Sequence, residues 1–213
     1  MNKKNICIGI LFGISVLSLL FVSILKYRQD HAGGSQTGID WSRVPDIPQP
    51  EMIVDLLTIN EYSRPGISLP KVDGIVVHYT ANPGTDAKAN RDYFENLKDS
   101  HTTKVSSHFI IGLDGTIYQC IPTTEIAYAS NDRNMDTISI ECCHPDDSGK
   151  FTDATYDSLV ELTAYLARRF EVKPEKVIRH YDVTGKNCPK FFVEHPEKFE
   201  DFREAVKERI LSQ

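Results

Sequence analysis

The sequence lacks a regular cysteine framework. Its five cysteines, at positions 7, 120, 142, 143 and 188, contain no CxxC pair. This argues against a small fold held together by disulfides, although outside the cell Cys120 could pair with Cys142 or Cys143. A chain of 213 residues, 40% of them hydrophobic, is long enough to bury an apolar core without such bonds.

Basic residues are scarce beyond the N-terminus. Residues 1–28 hold four of the 24 Lys and Arg and no acidic residue, so residues 29–213 carry 20 basic and 30 acidic groups, a net charge of −10. Because contacts to phosphates need a basic face, this balance argues against nucleic acid as a partner. It also means that bulk charge does not hold the domain to an anionic membrane.

Residues 6–25, ICIGILFGISVLSLLFVSIL, contain no charged residue. Twenty helical residues span about 30 Å, the thickness of a bilayer core. A cleaved signal peptide has a shorter apolar run, roughly 7–15 residues, and a small-x-small site, and no clear site follows here. We therefore expect a transmembrane helix within an anchor at residues 1–28, with secretion after cleavage as the alternative. The flanking basic charge slightly favours an extracellular domain.

The remaining chain divides into a linker and one domain. Residues 29–50 are rich in Gly, Pro and polar groups and are predicted to be a linker. Residues 51–213 show no internal repeat and are predicted to form a single α/β domain.

Within this domain, patterns typical of strands and helices alternate. Short β-rich runs predict strands at 72–80, 136–143 and 175–182, and Asp114-Gly115 predicts a hairpin within 105–122. Apolar stripes predict helices at 85–100, at 151–170 and from Pro196 onward. The stripe of the first helix is Ala89, Tyr93, Phe94 and Leu97, and that of the last is Phe199, Phe202, Val206 and Ile210. A hairpin embedded among alternating elements predicts a central mixed β-sheet flanked by helices.

Three residues could bind a metal ion. His78 and His180 lie at the ends of predicted strands, and Cys188 follows His180 by eight residues after a glycine-containing turn. Two imidazoles and a thiolate form a credible zinc set that leaves a fourth position for water or substrate. The same residues allow a thiol protease with Cys188 as nucleophile and His180 or His78 as base, although no helix start is evident beside Cys188 to lower its pKa. A structural zinc site would need a fourth ligand, for which His144 is the spare candidate.

Glu141 and Lys186 are the candidate catalytic side chains. Glu141 interrupts an apolar strand, where it could be a general base with a raised pKa or one half of a salt bridge at the strand end. Lys186 lies between His180 and Cys188. It could stabilise an oxyanion, although the pattern alone favours a solvated loop lysine.

Four ordered motifs, GIVVHYTANPGT, SSHFIIGLDGTIYQ, DTISIE and RHYDVTGKNCP, resemble the type 2 zinc-dependent N-acetylmuramoyl-L-alanine amidases. This family includes small phage lysozyme-like amidases and the animal peptidoglycan recognition proteins. The likeness covers residues 55–190. It implies a mixed sheet with a zinc cleft and hydrolysis of the amide between N-acetylmuramic acid and L-alanine in peptidoglycan. It also implies His78, His180 and Cys188 as Zn²⁺ ligands, Glu141 as general base and Lys186 as the residue that polarises the scissile carbonyl.

The chain departs from the family pattern at two places. Ser107 replaces the catalytic tyrosine that some members carry, which shifts the expected base onto Glu141, and the segment AYAS (127–130) lacks a histidine found in some relatives. His108 follows Ser107 and should point the other way, so we expect a structural role for it.

Two alternatives to the amidase activity are a peptidoglycan-binding module without catalysis and a zinc amidase acting on another acylated peptide.

Overall fold

The structure is a computed structural model that describes residues 39–212. It contains six strands: β1 (Ile53–Val54), β2 (Gly74–Tyr79), β3 (Phe109–Ile111), β4 (Ile117–Gln119), β5 (Thr137–Cys142) and β6 (Val177–Arg179). It contains five α-helices: α1 (Ala87–Ser100), α2 (Asp153–Phe170), α3 (His180–Thr184), α4 (Lys190–Glu194) and α5 (Pro196–Leu211). Short 3-10 helices form at Trp41–Arg43, Asn131–Met135 and Pro174–Lys176.

The strands form one mixed sheet in the order β1-β4-β3-β5-β2-β6. All neighbouring strands are parallel except β3 and β4, which form the predicted hairpin. Its turn contains Gly115, whose φ of +85° favours glycine. The expected mixed sheet flanked by helices is confirmed.

Two apolar clusters bury the faces of the sheet. The larger joins β2, β3 and β5 to α2 and α5 through residues such as Ile140, Leu159 and Phe202. The smaller joins α1 to the hairpin through Phe94, Leu97 and Ile110 and the segment after β4. Helix α1 therefore packs over β3 and β4, and the carboxyl ends of β2 and β5 line a cleft together with it.

The predicted helices are present, with one error in the buried face. In α5 the four predicted apolar residues are all buried. Helix α1 is capped by Asp86 and buries Phe94 and Leu97. Ala89 and Tyr93 were wrongly placed on the buried stripe, because Asn90 and Arg91 turn inward instead. Arg91 donates to backbone carbonyls of the segment after β1, which makes its burial tolerable.

The predicted linker at 29–50 is too long. Its last part, residues 39–50, packs onto the domain: Val44 and Ile47 are buried in the larger cluster, and the Arg168 guanidinium donates to the Val44 carbonyl. Apolar residues in this part are few and lie among prolines, so the composition of the segment did not indicate that it packs onto the domain.

The predicted membrane helix at 6–25 lies outside the described residues. No helix within 39–212 combines the length and the apolar character that crossing a bilayer requires.

Candidate metal centre

The parallel strands β5, β2 and β6 place the predicted site residues at one edge of the sheet. His78 of β2 is in register with Glu141 of β5, and His180 directly follows β6 on the other side of β2. Strands that run in the same direction present their carboxyl ends together, which is where open α/β sheets bind ligands. Residues separated by more than 100 positions along the chain therefore converge.

The sequence predicts that His180 ends a strand, but in the structure His180 begins a helix. The strand stops at Arg179, and α3 starts because Asp182 accepts hydrogen bonds from the Arg179 backbone N–H at 2.8 Å and from its guanidinium at 2.7 Å. Both hydrogen bonds run from Arg179 to the carboxylate of Asp182, which thereby caps the first turn of α3. Asp182, which had no assigned role, therefore fixes the helix that carries His180.

Cys188 returns to the site after the turn at Gly185. Its carbonyl accepts from the Tyr181 backbone N–H at 2.8 Å, and its side chain is buried. The expectation that no helix begins near Cys188 was wrong, because α4 starts at Lys190. Burial nevertheless raises the pKa of the Cys188 thiol to about 12, so a reactive free thiolate is not favoured without a metal ion.

The three predicted ligands form one cluster. One ring nitrogen each of His78 and His180 and the Cys188 Sγ all lie within 4.8 Å of one another. His78 Nδ1 lies 3.8 Å from Cys188 Sγ, close to the separation of about 3.6 Å that a shared tetrahedral zinc ion sets between N and S ligands. His180 Nδ1 is buried and has no hydrogen-bond partner among residues 39–212. Such an orphaned nitrogen suits a metal ligand.

The surroundings of both imidazoles favour the neutral form, which is the form that binds a metal ion. Burial, followed by the neighbouring charges of His180 and Lys186, lowers the pKa of His78 well below its ordinary value. Burial and Lys186 also lower the pKa of His180.

Glu141 lies beside this cluster and faces a cleft. Its Oε1 is 3.9 Å from His78 Nδ1, and its Oε2 is buried without a hydrogen-bond partner among the described residues. Burial raises the pKa of Glu141 to about 8, against a smaller lowering by the charge of Lys186. The cleft has a volume of about 360 Å³, and Lys186 and Tyr93 also line it.

Ser107 and His108 are held by the β5 strand and its neighbours. Ser107 Oγ lies 3.0 Å from the Ser139 carbonyl, so its proton is held by backbone. His108 Nδ1 accepts from the Ser139 backbone N–H at 3.0 Å, and its Nε2 lies 2.9 Å from the Glu125 carbonyl. This agrees with the structural role expected for His108.

The remaining candidates do not join the cluster. His144 is buried against Tyr79, with Nδ1 2.7 Å from the Asp146 carbonyl, and it is not part of the ligand group. Cys120, Cys142 and Cys143 are buried free thiols, so the disulfide left open by the sequence is absent among them.

Two residues that the sequence did not single out contact the histidines. Ser130 Oγ lies 3.1 Å from His78 Nε2, and Asn131 Oδ1 lies 3.2 Å from His180 Nε2. Ser130 ends the segment AYAS (127–130), which the sequence singled out only because it lacks a histidine, and Asn131 follows it. No spacing rule connects this loop to either histidine, since 52 and 49 residues separate the pairs.

Comparison with known proteins agrees with this geometry. The N-acetylmuramoyl-L-alanine amidase CwlL of Bacillus licheniformis is 34% identical over 169 residues, covering 73% of this chain and 46% of that protein. The amidase BlyA of Bacillus subtilis is 33% identical over 175 residues, covering 72% and 46%. A mutant endolysin structure from Bacillus subtilis superposes with a TM-score of 0.62 at 27% identity, covering 74% of this chain and 99% of that one.

This chain spans about half the length of the curated relatives it matches. The match to solved structures is more complete: the catalytic domain of XlyA is covered to 99%, with a TM-score of 0.63 and 26% identity. The model of the N-acetylmuramoyl-L-alanine amidase family matches residues 68–191, more than half of the chain, and includes all three clustered ligands. The chain belongs to the N-acetylmuramoyl-L-alanine amidase family.

Proposed function

We propose that this protein hydrolyses the amide bond between N-acetylmuramic acid and L-alanine in peptidoglycan. The observation that carries the proposal is the convergence of His78, His180 and Cys188 beside Glu141 at the edge of a cleft. Family membership supports the same chemistry.

The donor set fits a zinc ion. Two neutral imidazoles and one thiolate leave a fourth position for a water molecule or the substrate, as in catalytic zinc sites. The buried, unpartnered His180 Nδ1 also supports a bound metal, because an unsatisfied buried polar atom is costly without one. Zinc held by His78, His180 and Cys188 would supply an electrophile for the scissile carbonyl and a water of lowered pKa.

Glu141 is the proposed general base. Its Oε2 has no hydrogen-bond partner within residues 39–212 and is therefore available to accept a proton from the attacking water. The protonated carboxyl can then donate that proton to the departing L-alanine nitrogen. Burial raises the pKa of Glu141 to about 8 in the metal-free chain, and the positive charge of a bound zinc ion would lower it toward the range in which the group can both take up and release a proton.

Lys186 is the proposed partner of the developing negative charge on the carbonyl oxygen. It is exposed and lines the same cleft as Glu141. A cation at the cleft wall stabilises an oxyanion more than a neutral carbonyl, which lowers the barrier instead of only tightening binding. It follows the turn at Gly185, and its charge lowers the pKa of both His78 and His180, which supports a place near the ligands.

The test is mass analysis of peptidoglycan digested by the purified protein, together with its zinc content. We expect free L-alanine amino termini on the stem peptides, and loss of digestion after chelation. Binding without cleavage would favour the non-catalytic alternative. Cleavage of other acylated peptides but not of muropeptides would favour a different substrate.

The Cys188→Ala variant separates the metal site from a thiol nucleophile. We expect loss of zinc together with activity, because three ligands become two. Full zinc occupancy in an inactive variant would support the thiol-nucleophile alternative instead.

We further propose that residues 6–25 anchor the protein in the cell membrane with the catalytic domain on the extracellular side. The uncharged twenty-residue run supports the anchor, and a wall substrate supports the orientation.

A further inference from the structure

Each histidine of the cluster has one ring nitrogen in contact with the same loop and one that the loop does not contact. For His78, Nδ1 lies 3.8 Å from Cys188 Sγ and Nε2 lies 3.1 Å from Ser130 Oγ. For His180, Nδ1 is buried without a partner among residues 39–212 and Nε2 lies 3.2 Å from Asn131 Oδ1. Consecutive residues of one loop therefore contact the outer nitrogens of both rings.

The loop is held in place by its own hydrogen bonds. Asn134 Oδ1 accepts from the backbone N–H groups of Ala129 at 3.0 Å and Ser130 at 2.6 Å. Asn131 adopts a left-handed backbone, with φ of 52°, at the start of the 3-10 helix. Asparagine tolerates this conformation better than most residues. The turn directs the two side chains to two different rings.

The contact with Asn131 selects one form of the His180 imidazole, and the contact with Ser130 is compatible with the same form of His78. The amide oxygen of Asn131 can only accept, so His180 Nε2 carries the hydrogen and Nδ1 keeps its lone pair. The opposite form would bury an N–H at Nδ1 with no acceptor among the described residues, which is costly. The Ser130 hydroxyl can donate or accept, and it accepts from His78 Nε2 when Nδ1 binds a metal ion, because a metal-bound nitrogen carries no hydrogen. With hydrogen on both Nε2 atoms, both Nδ1 lone pairs are available to a metal ion.

We propose that Ser130 and Asn131 are positioning residues that hold hydrogen on Nε2 of His78 and His180 and so present both Nδ1 atoms to one zinc ion. The inference rests on the proposed function for the identity of the metal. Neither residue touches the substrate in this account. They act through the ligands, as outer hydrogen-bond partners do in other zinc sites.

The variants are chosen to separate the hydrogen bond from the fold. Ser130→Ala removes the acceptor for His78. Asn131→Gly removes the acceptor for His180 and suits the left-handed backbone, whereas Asn131→Asp keeps an acceptor at the same place. Asp132→Ala, at an exposed position of the same 3-10 helix, is the matched control.

The first measurement is zinc affinity of the full-length chain in detergent, by competition with a chelator. We expect Ser130→Ala and Asn131→Gly to weaken zinc binding by roughly 10- to 100-fold. Asn131→Asp and Asp132→Ala should bind zinc as the wild type does or more tightly. If both acceptor-removing variants match the wild type, the inference is wrong while the proposed function stands. A wild-type chain that binds no zinc contradicts both.

The second measurement is direct and needs no variant that could misfold. In zinc-loaded protein with ¹⁵N-labelled histidine, His78 and His180 should each show a protonated Nε2 and a metal-bound Nδ1. Metal bound through Nε2 of either ring would overturn the inference, whatever the affinities of the variants.

Discussion

At the scale of single residues, the proposed base is the side chain with the clearest test. Glu141→Gln keeps the shape of the side chain and removes its ability to accept a proton. We expect turnover on muropeptides to fall by about 10²- to 10⁴-fold, the usual contribution of a general base. Zinc content should stay unchanged, because Glu141 is not one of the three clustered ligands. Near-normal turnover with zinc bound would contradict the assignment.

The same residue predicts a pH dependence of stability in the metal-free protein. Folding raises the pKa of Glu141 from an ordinary 4.5 to about 8, so the folded state binds more protons at this site between those pH values. The free energy of unfolding therefore falls as pH rises through this interval. Glutamine does not ionise, so in Glu141→Gln this site no longer lowers the free energy of unfolding as pH rises. The variant should gain stability on the order of a few kcal/mol above pH 8 and little near pH 4.

Denaturant unfolding of both proteins with chelator present, at pH 4, 6 and 8, measures this difference. Groups common to both chains cancel in the comparison. A stability difference that stays constant across this range would show that the raised pKa of Glu141 is wrong.

At the scale of elements, the short helix α3 depends on one carboxylate. Asp182 accepts from the Arg179 backbone N–H and guanidinium, and it thereby fixes the turn from which His180 projects. We expect Asp182→Ala to lower the free energy of unfolding by about 1 kcal/mol, the typical cost of a lost cap. It should also weaken zinc binding, because His180 is less firmly placed.

Asp182→Asn is the matched control for this prediction. It keeps an oxygen that can accept from the Arg179 backbone N–H but loses the charge that pairs with the guanidinium. It should therefore lie between the wild type and Asp182→Ala in thermal unfolding and zinc affinity. Equal zinc affinity in all three proteins would show that α3 does not need this cap to place His180.

The elements also show what could be predicted from sequence. The periodic apolar pattern was sufficient to predict α5. Its four predicted apolar residues are buried as expected: Phe199, Phe202, Val206 and Ile210. The prediction of a strand that runs through His180 was wrong, because the side chain of Asp182 caps a helix there and the strand ends at Arg179. Capping depends on local hydrogen bonds that a hydrophobic pattern does not encode.

The candidate site was partly predictable for a related reason. His78 and His180 follow apolar runs, and parallel strands bring such ends together. Ser130 and Asn131 lie in a polar loop whose position is set by Asn134 and by packing against α3. Their contacts to the two rings depend on tertiary structure alone, so no local pattern could indicate them.

At the scale of the whole molecule, charge and hydrophobicity are unevenly divided along the chain. Residues 29–213 carry a net charge of −10, which does not favour binding to an anionic membrane surface. We therefore propose that membrane attachment comes from residues 1–28. Their 6–25 run is uncharged and long enough to span a bilayer.

This division predicts that deleting residues 1–28 moves the protein from the membrane fraction to the soluble fraction. The deletion should leave turnover on soluble muropeptides within about twofold, because all clustered ligands and Glu141 lie in 39–212. The matched control keeps the segment but replaces Leu17 and Leu20 with Asp, since central charges oppose membrane insertion by about 3 kcal/mol each. It should also release the chain. Full-length protein found only in the soluble fraction would show that residues 6–25 are not an anchor, and protein shortened at its N-terminus would show that they act as a cleaved signal.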